Sequence, residues 1–204
     1  GWAAQIAAFL DRARRADTER RHAGELAELA EIAREIAGAL EDADDPRQLL
    51  GRLTERIARW LDVEMAGLLM LDTSAGALIA QPPFFGVPDI VLENYRIRLL
   101  PGSPAEAVWR TREHVSSRNV RTDLPAEWIE LRGLAETAGV RTTLLTPLAV
   151  GGRRVGALQV ANRRDQQPFD RRDADRLATI ARQASAMLEN TRLVREARAR
   201  AQQA

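Results

Sequence analysis

At both ends of the chain apolar residues return every three or four positions, whereas in the middle they run together or alternate, a contrast that predicts helices flanking a sheet. Trp2, Ile6, Phe9, Ala13 and Ala16 follow a 4-3-4-3 spacing, and Leu26, Leu29, Ala33, Ile36 and Leu40 follow 3-4-3-4, the repeat of a coiled-coil seam. Around Asp17 to Gly24 the phase slips among polar residues, and a break, bend or loose register is expected there. Leu177, Ile180, Ala184, Met187, Thr191, Val194 and Arg198 repeat the heptad spacing at the other end. A lone chain would leave much of this second seam in water, so a parallel homodimer is expected; the alternative is packing against the chain's own N-terminal helix.

The middle is punctuated by turn and cap signals. Asp45-Pro46-Arg47-Gln48 starts a helix, with Asp45 as N-cap and Pro46 at the first position, and Leu49, Leu50, Leu53, Ile57 and Trp60 form its apolar face. Met65 to Leu71 is short and continuously apolar, which fits a strand buried on both faces, though periodicity alone does not separate it from a helical segment. Asp72 to Gly76 is a turn, and Ala77 to Gln81 returns as a strand. Pro82-Pro83-Phe84-Phe85-Gly86 with Pro88 reads as an irregular loop covering a pocket. Tyr95 to Leu99 alternates like a half-exposed strand, and Ser103-Pro104-Ala105-Glu106 is a capping box for a short helix. A short strand at His114 to Ser116 and a helix from Pro125 to Ala138, capped by Gly139, precede two strands, Thr142 to Val150 and Val155 to Asn162. Gly151-Gly152 suits a tight hairpin between them, and Pro147 marks an edge or a bulge.

Composition changes this picture mainly by exclusion. Thirty basic and 29 acidic groups interleave along the helices, leaving a formal charge of +1 and no basic stripe, which argues against nucleic-acid binding. Every basic residue is arginine, and there is no cysteine. A phosphate-loop lysine, a Schiff base, a thiol nucleophile, a disulfide and a thiolate metal site are all excluded. No apolar run approaches the roughly 20 residues that span a bilayer, and no signal-peptide pattern is present. Gly1 stands where an initiator methionine would, and the last helix lacks a clear cap, as expected of a piece cut from a longer protein.

The most informative run is Val155 to Asn190. A strand ends at Asn162, Arg163-Arg164-Asp165 follows, Phe169 precedes Asp170 as a staple precedes an N-cap, and Asp173 adds a second negative charge in the first helical turn. With the strand Met65 to Asp72, Gly102 before its capped helix and Pro147-Leu148, this run resembles the GAF domain family over roughly residues 46 to 190. The resemblance implies an α+β fold, GAF-like and PAS-related, with an antiparallel sheet of about five or six strands, helices packed on it and long flanking helices. The expected divisions are an N-terminal signalling helix at 1–45, a GAF core at 46–169, and a C-terminal helix at 170–204 that is first packed on the domain and then coiled coil.

Relatives that bind cyclic nucleotides carry Asn, Lys, a gap, Phe, three residues, Asp and Glu. Asn162, Arg163, Phe169 and Asp173 match in order, but Arg163 replaces the Lys and Ala174 the Glu, so the four residues are expected to form a structural brace with an Arg163–Asp173 ion pair. This partial match argues against a cyclic nucleotide, and the missing cysteine argues against a covalently attached bilin and the usual form of free methionine sulfoxide reductase. His114 as a haem ligand and His22 as a phospho-acceptor are both outweighed by ordinary structural readings.

The resemblance places Phe84, Phe85, Tyr95, Trp109 and Trp128 on elements surrounding a ligand cavity, with Arg132 and Arg141 as candidate anion contacts; aromatics there also suit a filled core. The expected function is a non-catalytic sensory or regulatory module of a bacterial-type cytoplasmic signalling protein. It would dimerise with a second copy and pass ligand or conformational state to a covalently linked output domain. A ligand-free structural spacer is the alternative. Ligand and cofactor stay unassigned, and neither nucleic acid nor membrane is an expected partner of this stretch.

Overall fold

Leu50, Leu53, Ile57, Ala58 and Leu61 lie on one side of a helix, α1 (Pro46–Leu61), and all five are buried against a sheet. The computed structural model describes residues 46–125, 128–182, 185 and 186, with 12, 14–20, 23, 24, 26, 27, 30, 31 and 34 of the N-terminal stretch. Asp45, and the seam residues Leu29, Ala33, Ile36, Leu40, Ala184, Met187, Thr191 and Val194, lie outside the described residues. Positions 17–20, 23 and 24, inside the stretch expected to break, are helical, and Leu26 is exposed.

After α1 the chain runs through β1 (Val63–Asp72), β2 (Ala77–Phe85), α2 (Asp89–Leu92), β3 (Arg96–Arg98), α3 (Pro104–Thr111), β4 (Val115–Ser117), α4 (Ile129–Thr137), β5 (Thr143–Val150) and β6 (Arg153–Arg163). A last helix, α5, occupies 171–182, with Ser185 and Ala186 also helical. Six strands form one antiparallel sheet in the order β3-β2-β1-β6-β5-β4. The central pair, β1 and β6, is covered on both faces, which explains why Met65 to Leu69 is continuously apolar instead of alternating.

One face packs on α1 and α5, through Leu53, Ile57, Leu68, Leu144, Leu148, Leu158, Leu177 and Ile180. Arg176 secures this layer: its guanidinium lies 4.0 Å from the Trp60 ring centre and donates to the Trp60 carbonyl. Leu177 and Ile180, read as the start of a dimer seam, are thus fully buried within their own domain. The other face packs on α2, α3, α4 and their loops through Leu69, Leu78, Tyr95, Ile97, Trp109, Trp128, Leu131 and Leu145.

Local chemistry matches the expected turns in most places. Asp72 Oδ1 accepts from the Ser74 and Ala75 N–H groups and the Ser74 hydroxyl, closing the turn before β2. Ser103 caps α3 by accepting from the Glu106 N–H, while Glu106 reaches the Gly102 N–H because that of Ser103 is already donated to Leu100. Gly151 and Gly152 have φ of 59° and 73°, as a two-residue type I′ hairpin requires. Pro147 lies beyond the last residue of β5 paired with β4, so its missing N–H breaks no bond on that side, and a bulge follows at Leu148/Ala149.

The Pro82 to Phe85 segment corrects the expectation of an irregular loop: it is the second half of β2. Between the pairs Ala66↔Phe85 and Leu68↔Gln81 the register shifts, so the two prolines sit in a wide irregularity where no ladder N–H is required of them. Phe84 turns inward there onto Gly67, the one β1 position with room for a ring.

Candidate functional site

Four of the expected pocket aromatics, Phe84, Tyr95, Trp109 and Trp128, meet on the sheet face that carries α3 and α4, and all four are buried. Phe84 and Tyr95 pack edge to face with ring centres 6.2 Å apart. The Tyr95 hydroxyl donates to Gln159 Oε1 at 2.7 Å, Gln159 Nε2 donates to Thr143 Oγ1 at 3.2 Å, and Thr143 Oγ1 donates to the Val160 carbonyl at 3.1 Å. Burial pushes the Tyr95 phenol up from its usual range despite the Gln159 bond, so it remains a neutral donor. The space left beside these groups is two cavities of about 10 Å³ each, roughly one water apiece. Trp128 Nε1, lining the first with Trp109 and Arg154, has no hydrogen-bond partner among the described residues.

Three candidates lie elsewhere. Phe85, one residue beyond Phe84, points to the opposite face and packs on the α1 side, as strand alternation demands. Arg132 donates to the carbonyls of Leu124 and Pro125, tying down the loop before α4. Arg141 is exposed and paired with both carboxylate oxygens of Glu64 at 3.2 Å.

The brace residues are joined by direct contacts. Asn162, buried with φ 54° and next to last in β6, uses its whole amide: Oδ1 accepts from the Arg141 and Thr142 N–H groups at 2.8 and 3.2 Å, and Nδ2 donates to Glu64 and the Gly139 carbonyl at 2.8 and 2.9 Å. One side chain therefore holds the exit of α4, the start of β5 and the start of β1. Next to it, Arg163 bonds Asp165 at 2.6 Å and Asp173 at 2.9 Å, with Asp170 at 3.8 Å. Burial works against the Arg163 charge, but its bonds to Asp165 and Asp173 outweigh that and hold the guanidinium above its ordinary value. Asp170 and Asp173 cap α5 reciprocally, each accepting the other's N–H at 3.0 Å, and Phe169 is buried in the same cluster as Ala174.

The Asp173 N–H bond, with help from Arg163, holds the Asp170 carboxyl below the usual carboxylate range. A depressed folded value contributes stability fully above the unfolded value of about 3.9 and loses it as pH falls through the folded one. Asp170→Asn, which keeps a capping oxygen but loses the charge, is therefore expected to lower the melting temperature slightly at pH 7 and to converge on the unsubstituted protein as pH falls below about 4, so that its acid fall is smaller. An unchanged acid limb in a thermal melt series would rule out this role for Asp170.

Arg154 lies one residue before Val155, where the sequence pattern predicts the strand to begin. The bulge opposite Leu148/Ala149 places an extra residue on β6, sends Val155 to the α1 face and turns Arg154 toward Trp109. Its guanidinium lies 5.5 Å from the Trp109 ring centre and donates to the Trp109 carbonyl. Gln159 and Thr143 were also missed; the available signal was their polarity inside otherwise apolar strands. Two open grooves lie at the surface. One, of about 830 Å³, runs beside β4 and the start of α5, where half-buried His114 meets Arg163, Phe169 and Asp170. The other, of about 700 Å³, lies at the β5–β6 hairpin end.

The family profile described as GAF domain matches residues 43–189. Among solved structures, the free methionine-R-sulfoxide reductase of Neisseria meningitidis in complex with its substrate is similar at TM-score 0.56 and 22% identity, covering 81% of this chain and 91% of that one. The GAF domain of an Acinetobacter phosphoenolpyruvate-protein phosphotransferase reaches 0.57 at 18% identity, covering 84% and 97%. A domain of a putative two-component sensor histidine kinase from Sinorhizobium meliloti 1021 reaches 0.56 at 17%, covering 76% and 99%. Such identities show a shared fold. No match was found among curated proteins.

Proposed function

We propose, from the premise that this chain belongs to the GAF domain family, that it is a non-catalytic sensory or regulatory module which couples the α3–α4 face of its sheet to helix α5. The observation that carries this reading is the adjacency of two anchors: Asn162 grips the exit of α4, and Arg163, the next residue, grips Asp173 in the first turn of α5. A shift of α4 on one face thereby acts through a single peptide unit on the helix start of the other. Beyond α5 the heptad pattern would carry the change to a second copy and on to a linked output domain, in a cytoplasmic signalling protein. A two-state helix of this kind needs only a few kcal/mol of differential ligand affinity.

The filled aromatic face favours a second reading, a ligand-free spacer, because cavities of about 10 Å³ admit no signalling molecule without rearrangement. Reductase chemistry of the Neisseria kind is not carried over, since the family resemblance ties it to cysteines and this sequence contains none. Among the described residues no group of His, Cys, Asp and Glu is arranged to hold a metal, and no helix is long and apolar enough to cross a membrane.

Native mass spectrometry and an absorption spectrum of the purified protein distinguish the two readings. A retained small molecule is the expected result for a sensor, and a bare chain that keeps the same mass after incubation with cell extract supports the spacer. Light scattering at tens of micromolar is expected to give a dimer mass; a strict monomer would overturn transmission through the flanking helices.

A further inference from the structure

The groove at the β5–β6 hairpin end borders the aromatic face at Trp109 and differs from it in charge. Its floor is apolar, formed by Met70, Leu71, Val150, Val155 and Trp109, and its polar wall is Arg110, Arg153 and Arg154 with Thr73; among the described residues no carboxylate lines it. Arg110 has a counter-ion in Glu106 at 3.6 Å, but neither Arg153 nor Arg154 has an ion-pair partner among the described residues.

Arg154 is the better placed of the two. The bulge aims it, the Trp109 carbonyl takes one of its donors, and the indole face supports its plane, so the guanidinium is fixed before anything binds. Its partial burial disfavours the charge, and among the described residues no carboxylate pairs with it. A fixed, partly desolvated guanidinium presents its remaining N–H groups as a planar fork, which matches a carboxylate. Arg153, exposed on the hairpin, supplies a second positive charge at the mouth. The volume of about 700 Å³ lies in the range of small-molecule sites, and the floor has few hydrogen-bonding groups for a sugar or a base.

We propose that this groove binds a small organic acid, a carboxylate carried on a flat apolar body, with Arg154 pairing the carboxylate and Leu71 and Trp109, which lie on the same side of the sheet, covering the body. This site does not depend on whether the aromatic face holds a ligand. Because Trp109 and Arg154 also border the cavity containing the Trp128 indole N–H, occupation of the groove acts on the wall of that face.

The test is a titration of the ¹⁵N-labelled chain with 2-naphthoate, and in parallel with neutral 2-naphthamide, followed by amide shifts. Naphthoate is expected to move Thr73, Arg110 and the amides of 152–155 first, and to bind about ten-fold more tightly than the amide. Arg153→Gln, an exposed change compatible with folding, should weaken naphthoate several-fold while leaving naphthamide unaffected. Arg154→Lys should weaken it more, since a lysine keeps the charge without the fork. Equal binding of both probes, shifts centred on Tyr95 and Gln159, or no saturable binding at millimolar naphthoate would each overturn the proposal.

Discussion

Asn162→Ala is expected to lower the stability of the domain by about 3 kcal/mol. Alanine at φ 54° costs on the order of 1 kcal/mol that asparagine largely avoids, and the N–H groups of Arg141 and Thr142 each lose their Oδ1 acceptor at about 1 kcal/mol apiece. In a domain of this size the melting temperature should fall by roughly 10 °C. Asn162→Gly separates the parts, because glycine tolerates the backbone angle and loses only the amide; it should cost about 1 kcal/mol less than alanine. Asn162→Asp keeps both acceptors but sets a buried carboxylate against Glu64, where Nδ2 now donates at 2.8 Å. Burial and the Glu64 charge would raise the new carboxyl above its unfolded value, so its penalty is full above the raised value and fades as pH falls. Thermal melts of the three variants at pH 7 and pH 4 check all of this. A loss below about 1 kcal/mol for alanine would mean that water replaces the amide and that Asn162 does not hold the joint.

Asn162 also shows where sequence reading is strong. Local chemistry determined the hairpin at Gly151-Gly152, the Ser103 cap and the Gly139 turn with φ 71°, because each involves groups close in sequence or a residue with few conformational options; the Arg163–Asp173 pair, at 2.9 Å, is implied only by the family resemblance. The GAF fold itself, six antiparallel strands with helices on both faces, was legible in the order of these signals. What was not legible depends on which surface an element meets. A 3-4 spacing makes Leu177 and Ile180 face something, but only the packed structure shows that they are buried in the cluster between the sheet and α1 of the same chain. Two adjacent phenylalanines read as one aromatic patch until β2 alternates them, Phe84 to the aromatic face and Phe85 to α1. Arg154 was hidden for the same reason: a bulge reverses the side of a strand on which a residue emerges, and no local pattern announced it. Proline was misjudged because its cost in a strand falls only on bonds the ladder would have made, and the register shift beside Leu68 removes them.

That same irregularity carries the second large effect. A Cβ at Gly67 would lie 2.2 to 2.3 Å from three ring atoms of Phe84, well inside any tolerable contact, and the ring is buried and packed edge to face on Tyr95. Gly67→Ala is therefore expected to destabilise by about 2–3 kcal/mol through overpacking. Phe84→Ala should cost about 3 kcal/mol by emptying the same site. The two losses cannot add, because removing the ring removes the clash. In the Phe84→Ala background, Gly67→Ala should become neutral or stabilising by about 0.5–1 kcal/mol, since alanine is better than glycine inside a strand. The sign reversal, read from urea melts of the four proteins, is a coupling of at least 2 kcal/mol. Additive losses would mean that Gly67 is required for its backbone and not for the ring upon it. In that event Phe84 would be free to swing away from β1, and the aromatic face could open for a ligand without disturbing the centre of the sheet.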